Sequence, residues 1–331
     1  MSMTDSSGFN LSLDHVDSSR LKDFMGCPRY DFFRHVCGWR LAGPQIHLDF
    51  GTAIHAGLAE LYRHNQPWTK PIIQKMVVVF MTKYMELFPS PVYVLPGEED
   101  GGYVDPNSGP KCLTSGVRLL EGYANTYQDD RLTPLQVETG GLVMIDSSRA
   151  LAFRIDLIAE LPDGSVHVIE HKTSGSTAGF SSGVPWTLDI QVGTYLHVLF
   201  MYFAKQGKEL TQQGLTINGL VCRVKEPGYV RVPIVKNEVA QLTWLDIVRR
   251  TYDELEENIR ALKEDHVLKF PMRTTNCTRW GTCKYAEFCM AWGEDCLNRI
   301  VDLGGAVPAK FQRDFWNPLD NVRNEINLEG A

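Results

Sequence analysis

The chain has 331 residues, 44% hydrophobic and 22% charged, which is the balance of a globular protein and excludes a disordered, collagenous or fibrous one. A core of this size needs no disulfide or metal staple, so any metal centre must have a chemical reason. Forty acidic against thirty-three basic residues give a net charge of −7, which excludes an all-over basic coat for duplex nucleic acid and allows only a locally basic groove.

Residues 1–17 read as a tail without an export pattern, and the longest apolar runs, such as Val198 to Ala204, are too short to span a bilayer; a cytoplasmic protein is expected. Ser18 or Ser19 is a candidate cap for a first helix carrying Leu21, Phe24, Met25, Tyr30 and Phe33, broken at Cys27-Pro28. A second helix begins near Gly51 and carries Ile54, His55, Leu58, Leu61 and Tyr62, and a third covers 71–87. Residues 88–110, rich in proline and glycine, read as a mobile loop or lid. After a helix over 115–127 the pattern changes to strands at 136–145, 150–161 and 165–173, the last two joined by Pro162-Asp163-Gly164, which makes a β-meander. A helix over 188–205, strands at 215–224 and 229–235, and an amphipathic helix through Leu245, Val248, Tyr252, Leu255, Ile259 and Leu262 follow. Residues 276–297 are dense in Cys, Trp and Tyr, and 298–331 read as a peripheral C-terminal tail.

On the strand at 165–173 side chains alternate faces, so Glu170 and Lys172 point one way and Ile169 the other. Charges at the end of an apolar strand persist if they pair or hold a metal. The preceding strand carries Asp156 amid Phe153, Ile155, Leu157 and Ile158, and the tight hairpin can bring it near Glu170. An isolated Asp, Glu and Lys is more often a cross-strand salt bridge, and it is the surrounding residues that change that reading. Two converging carboxylates also suit Mg²⁺ or Mn²⁺ with phosphate oxygens as further ligands, the chemistry of a phosphodiester site.

These residues resemble the PD-(D/E)XK nuclease superfamily, in which an Asp on one strand is followed by Glu-x-Lys on the next: here Asp156, then Glu170-His171-Lys172. Within it, Gly51-Thr-Ala-Ile-His55 is similar to the helix that opens the RecB- and AddB-like branch, which includes Cas4-like nucleases, and implies that His55 is a further metal ligand. Gln191 and Tyr195, at i and i+4, match that branch's Gln-x-x-x-Tyr motif and are expected to border the active site and the DNA path. Glu138 stands where members often carry a glutamate, and it reads equally as an exposed strand residue. The resemblance implies an α/β restriction-endonuclease-like core, a central mixed sheet flanked by helices, in a domain over 18–297.

Cys277, Cys283 and Cys289 are too close in sequence to ignore, and three thiols suggest a soft-metal site that needs a fourth ligand. The resemblance supplies Cys27-Pro28: in its Fe–S branch one N-terminal and three C-terminal cysteines bind a [4Fe-4S] cluster and staple the ends of the domain. The gap of five residues between Cys277 and Cys283, where many members have two, leaves Cys296 as an alternative ligand and Zn²⁺ as an alternative metal. Cys37, Cys112 and Cys222 read as core residues.

The implied activity is that of a metal-dependent deoxyribonuclease acting on single strands or free ends of DNA in recombination, repair or phage DNA processing. Asp156, Glu170 and His55 would hold Mg²⁺ or Mn²⁺, Lys172 would assist the attacking water, and Arg118, Arg149 and Arg154 are candidate phosphate contacts. The competing readings are a non-catalytic Fe–S module that binds DNA and a Cas4-like trimming subunit of a larger complex. The sequence shows no Gly-x-x-x-x-Gly-Lys-Ser/Thr nucleotide loop, so unwinding would fall to a helicase or recombination partner.

Overall fold

The computed structural model describes residues 8–43, 45–88, 110–180, 183–207, 213–223, 225–278, 281–320, 322 and 324–328. In chain order the elements are α1 (Ser18–Gly26), α2 (Pro28–Asp31) running into a π turn (Phe32–Val36), β1 (Trp39–Leu41), α3 (Ile46–Leu61), α4 (Lys70–Leu87), α5 (Leu113–Tyr127), β2 (Thr133–Met144), β3 (Ala150–Glu160), β4 (Val166–Ser174), α6 (Val184–Thr187), α7 (Ile190–Lys205), β5 (Gln213–Val221), β6 (Gly228–Ile234), α8 (Glu238–Arg260), α9 (Ala286–Trp292), α10 (Cys296–Asp302), β7 (Phe311–Arg313) and β8 (Asn324–Leu328). Apart from its two end residues, the segment expected to be a mobile loop lies outside the described residues.

A mixed six-stranded sheet in the order β6-β5-β4-β3-β2-β8 forms the centre of this α/β protein. The meander β2-β3-β4 is antiparallel, and the turn between β3 and β4 is held by the Asp163 carboxylate, which accepts hydrogen bonds from the Ser165 amide at 2.9 Å and hydroxyl at 2.6 Å. β4 and β5 are parallel, joined by α7 as the crossover. One face of the sheet packs on α1, α7 and α8 through Phe24, Val198, Leu199 and Val248; the other packs on α3, α4 and α5 through Ile54, Leu58, Phe80 and Leu120. Each helix therefore buries one apolar stripe and the sheet buries both faces.

Along β3 the alternation slips at the centre. Leu151, Phe153 and Ile155 enter the α1/α7/α8 core, whereas Leu157 and Ala159, of the same parity, enter the opposite core. β2 does the same between Val137 and Val143. Both strands thus change face in the region of Glu138 and Asp156, where strict alternation would have pointed every odd-numbered residue one way.

Three expectations are corrected. Asp17, not Ser18 or Ser19, caps α1, its carboxylate accepting from the Arg20 amide at 2.8 Å. The described part of the N-terminal tail is packed: Val16 is buried and its carbonyl accepts from the Ala152 amide of β3 at 2.8 Å. The C-terminal tail is not peripheral either, since β7 pairs with β1 and β8 completes the central sheet beside β2. Gly141 makes that last pairing possible, because a Cβ there would run into the carbonyl oxygen of Ile326. Among the described residues, no helix is long and apolar enough to cross a membrane.

Candidate active site

Sheet register builds the site. Val137 pairs with Leu157 and Thr139 with Ile155, which sets Glu138 opposite Asp156; Leu157 pairs with Ile169, which sets Asp156 opposite Glu170. Three carboxylates on three adjacent strands form one row, an arrangement that like-charge repulsion opposes unless counter-charge is supplied. Glu138 also holds φ at 49°, a left-handed conformation that costs a residue with a Cβ about 1–2 kcal/mol. Strain and repulsion at one rung are the mark of a site kept for its chemistry.

From α3, His55 reaches down to Asp156, Nδ1 to Oδ1 at 3.1 Å, and one ligand atom from each of His55, Glu138 and Asp156 lies within 4.8 Å of the other two. The second oxygen of Asp156 accepts the backbone N–H of His171 at 2.8 Å. Glu170 stands outside this tight trio: its Oε1 accepts from Lys172 Nζ at 2.6 Å, while Oε2 is buried with no hydrogen-bond partner. Lys172 also donates to Gln191 Oε1 at 3.0 Å, Gln191 Nε2 donates to the Tyr195 hydroxyl at 2.8 Å, and that hydroxyl donates to the Arg154 carbonyl at 2.5 Å. Asp189 caps α7 by accepting from the Gln191 and Val192 amides, so the helix begins where Gln191 faces Lys172.

Burial and the Asp156 charge raise both Glu138 and Glu170 to about 7. Burial opposes the Asp156 carboxylate too, but His55 and the His171 amide overcome it and hold Asp156 far below the usual carboxylate range. His55 moves the other way: burial alone would lower it, and Asp156 holds it above its ordinary value. Lys172 is likewise lifted, since Glu170 beside it outweighs burial. His171, buried, is pushed down to about 3 and stays neutral. Its ring stacks on Tyr62 and its Nδ1 lies 2.7 Å from Asn218 Nδ2, which donates to it; Asn218 is in turn tied to Tyr123 and Arg231. This polar network behind the sheet fixes the backbone that grips Asp156.

A cleft of about 330 Å³ opens above the row, with His55, Asp156, Glu170, Lys172, Gln191 and Tyr195 in its walls. All seven residues singled out from the sequence therefore gather here, Glu138 through its place in the trio. Of the candidate phosphate contacts, Arg154 lines the cleft and sits 3.6 Å from Glu138. Arg149 is instead paired with Asp146 and Asp253, and Arg118 on α5 bonds the Lys225 carbonyl away from the cleft. Sequence reading missed His171 as a support for Asp156, although its place inside Glu-x-Lys was the available signal. It also missed Trp316 and Pro318, which line the cleft from the C-terminal segment and carry no motif.

A family model of the PD-(D/E)XK nuclease superfamily matches residues 18–290. The chain belongs to this superfamily. Among solved structures, it is similar to a candidate exonuclease from Eubacterium rectale at 14% identity and a TM-score of 0.44, over 83% of this chain and 87% of that one. It is also similar to SSO0001, at 12% identity and a TM-score of 0.30 over 73% and 77% of the two chains. A third similarity, to SPO1766, a protein of unknown function from Silicibacter pomeroyi, has 13% identity and a TM-score of 0.15 over 45% and 91%. No curated protein matches the chain.

Nucleases of this superfamily use divalent ions such as Mg²⁺, and the nuclease described here has donors that fit one. The acidic row is hard and oxygen-rich, His55 adds a nitrogen, and the orphaned Glu170 Oε2 is a buried acceptor awaiting a partner.

Cys27, Cys277, Cys283, Cys289 and Cys296 lie near one another. Cys27 accepts from the Arg273 amide at 3.4 Å, and the Cys283 amide donates to the Cys277 carbonyl at 2.8 Å. After burial, the neighbouring thiols raise one another: Cys283 and Cys27 act on Cys277, and Cys27, Cys296 and Cys283 act on Cys289, which lies at about 12. Cys296 is buried, which raises its thiol, and the Arg29 side chain opposes that rise. Cys37, Cys112 and Cys222 are buried.

Proposed function

We propose that this chain is a metal-dependent deoxyribonuclease that attacks phosphodiester bonds at single strands or strand ends. The observation that carries the reading is the row Glu138–Asp156–Glu170 under His55, with a lysine in the same cleft. His55, Glu138 and Asp156 would hold a Mg²⁺ or Mn²⁺ ion, with Glu170 Oε2 offering a further ligand. When bound, the ion supplies a Lewis acid that polarises the phosphate and lowers the pKa of attacking water.

The chain's own side chains would do the rest. Lys172, held as a cation by Glu170, keeps its proton and so acts as a donor that orients water or meets negative charge growing on the phosphate. Gln191 and Tyr195 lock that ammonium in place, and Arg154 presents a second cation at the wall. The backbone N–H of His171 donates to Asp156 and thereby fixes the direction of the carboxylate.

Cys27, Cys277, Cys283 and Cys289 are proposed to hold a [4Fe-4S] cluster that joins the two ends of the domain, with a structural role. Among the described residues, no three cysteine sulfurs lie within 4.8 Å of one another. A tetrahedral zinc site, with Zn–S near 2.3 Å, would set thiolates about 3.8 Å apart, so these thiols would have to close in to hold a single zinc ion. Thiols of this kind persist in a reducing compartment such as the cytoplasm.

The test is cleavage of end-labelled single- and double-stranded DNA by anaerobically purified protein with Mn²⁺, Mg²⁺ or EDTA, beside Lys172→Ala. Metal-dependent ladders that vanish in the variant support the reading, and wild-type protein that binds DNA without cutting under any of these ions replaces it with a binding module. Iron and sulfide analysis of wild type and Cys27→Ser tests the cluster: about four irons lost in the variant are expected, and stoichiometric zinc would overturn it.

A further inference from the structure

The segment between β7 and β8 reaches the cleft, where Trp316 and Pro318 stand in the wall. It is tied down at its start, where the Asp314 amide donates to the Gly38 carbonyl at 2.8 Å and Arg40 donates to the Asp314 carboxylate at 2.9 Å. It is tied down again where Thr139, the neighbour of Glu138, donates to the Asn324 carbonyl at 2.8 Å. Between these anchors stands Trp316, 44% exposed, whereas Trp39, Trp68 and Trp244 are buried. Its indole Nε1 is directed at Asp17 Oδ2, 3.4 Å away, and the other oxygen of Asp17 caps α1. The ring is therefore held by one edge while much of it stays open to water, in the wall of the cleft that holds Asp156, Glu170, Lys172 and Arg154. Core packing does not account for an indole left this exposed.

We propose that Trp316 is a base-stacking subsite of this cleft, taking one unpaired nucleobase while the adjoining phosphate lies toward Lys172 and Arg154. The inference rests on the nuclease reading for the phosphate and adds the residue that would select the strand. In a duplex interior each base has both faces covered by its neighbours, so a fixed indole at the rim can stack only on an unpaired or terminal base. The cleft volume, about 330 Å³, is at the small end of ligand sites, which run from about 300 to 1,000 Å³. Trp316 lies beyond residues 18–290, the part matched by the family model, so this wall is contributed by the chain's C-terminal segment.

The experiment uses the full chain and its Trp316→Ala and Trp316→Phe variants, with Ca²⁺ in place of Mg²⁺ to slow turnover. Binding is measured for a thymidine oligonucleotide, an abasic oligomer of the same length and a covalently closed duplex circle, which has no terminal base. Wild type should prefer the thymidine oligomer over the abasic one by roughly 5- to 150-fold, the range for one stacked base. Trp316→Ala should lose that preference, Trp316→Phe should keep most of it, and duplex affinity should not change. In cleavage assays with Mg²⁺, Trp316→Ala should raise KM for single strands with kcat moved far less. The proposal is overturned if Trp316→Ala binds thymidine oligomer like wild type, if it weakens all three ligands equally, or if wild type binds no oligomer. A wild-type protein that shows the Trp316-dependent preference but never cuts overturns the nuclease reading and leaves the stacking subsite standing.

Discussion

Exchange of Glu138 for Gln should stabilise the metal-free protein at alkaline pH and blunt its response to divalent cations. Glu138 is held near 7 by burial and by Asp156 opposite it, against an ordinary 4.5. In the window between those values the folded state keeps a proton that the unfolded chain has lost, so stability falls as pH rises from 4.5 to 7 and is flat above. Ionised at pH 8, the side chain opposes folding by about 3 kcal/mol. The exchange removes that penalty, in which the favourable contact with Arg154 is already included, and so gains about 3 kcal/mol. For 331 residues the unfolding entropy is about 0.7 kcal/mol per kelvin, so the apo midpoint should rise about 4 °C at pH 8 and not at pH 4. Wild type in a cation at about 100 times its Kd should gain ~2.7 kcal/mol, or about 4 °C. If the lost carboxylate weakens affinity tenfold, the same concentration gives the variant ~1.4 kcal/mol, or about 2 °C. Differential scanning calorimetry with Mn²⁺ and with EDTA reads all four states. A wild-type midpoint indifferent to cation at pH 8, or a variant that responds as wild type does, would refute the metal assignment of Glu138.

Lys172→Ala should lower the cleavage rate at least ~100-fold while single-strand affinity stays within several-fold, as read by gel ladders and anisotropy; equal rates would remove Lys172 from the reaction. Cation affinity measured by calorimetry should weaken as pH falls from 8 to 6, because Glu138 and Glu170, each raised to about 7, take up protons that the ion must displace; a flat profile would contradict those positions. Tyr195→Phe loses the hydroxyl that joins Gln191 to the Arg154 carbonyl, and an unfolding free energy lower by about 1–2 kcal/mol with slower cleavage is expected. Gly116→Ala pushes a Cβ into the Phe80 ring, so a loss of about 1–3 kcal/mol of unfolding free energy, read as a lower thermal midpoint, with unchanged cleavage chemistry should follow; an unshifted midpoint would mean the two helices part freely.

What could be read from the sequence is what depends on neighbours along the chain. The period of two on β4 put Glu170 and Lys172 on one face, Pro162-Asp163-Gly164 turned β3 back beside β4, and one helical turn set Gln191 next to Tyr195. These follow from local sterics and hold wherever the segment is packed. Glu138 read as evenly balanced because its role depends on register. The extra residue Leu135 in the pairing of β2 with β3 and the change of face in both strands put it opposite Asp156 with φ at 49°, and no alternation in the sequence announces that. The C-terminal segment read as peripheral for a related reason. β8 pairs in parallel with a strand almost two hundred positions earlier, and it is drawn there by the unpaired edge of β2 and by Gly141, which lets Ile326 approach. Trp316 has no periodicity and no motif, and only closure of that long loop brings it to the cleft. Local chemistry thus fixed the Asp and Glu-x-Lys core by itself, whereas the third carboxylate and the aromatic wall exist only once the whole sheet has closed.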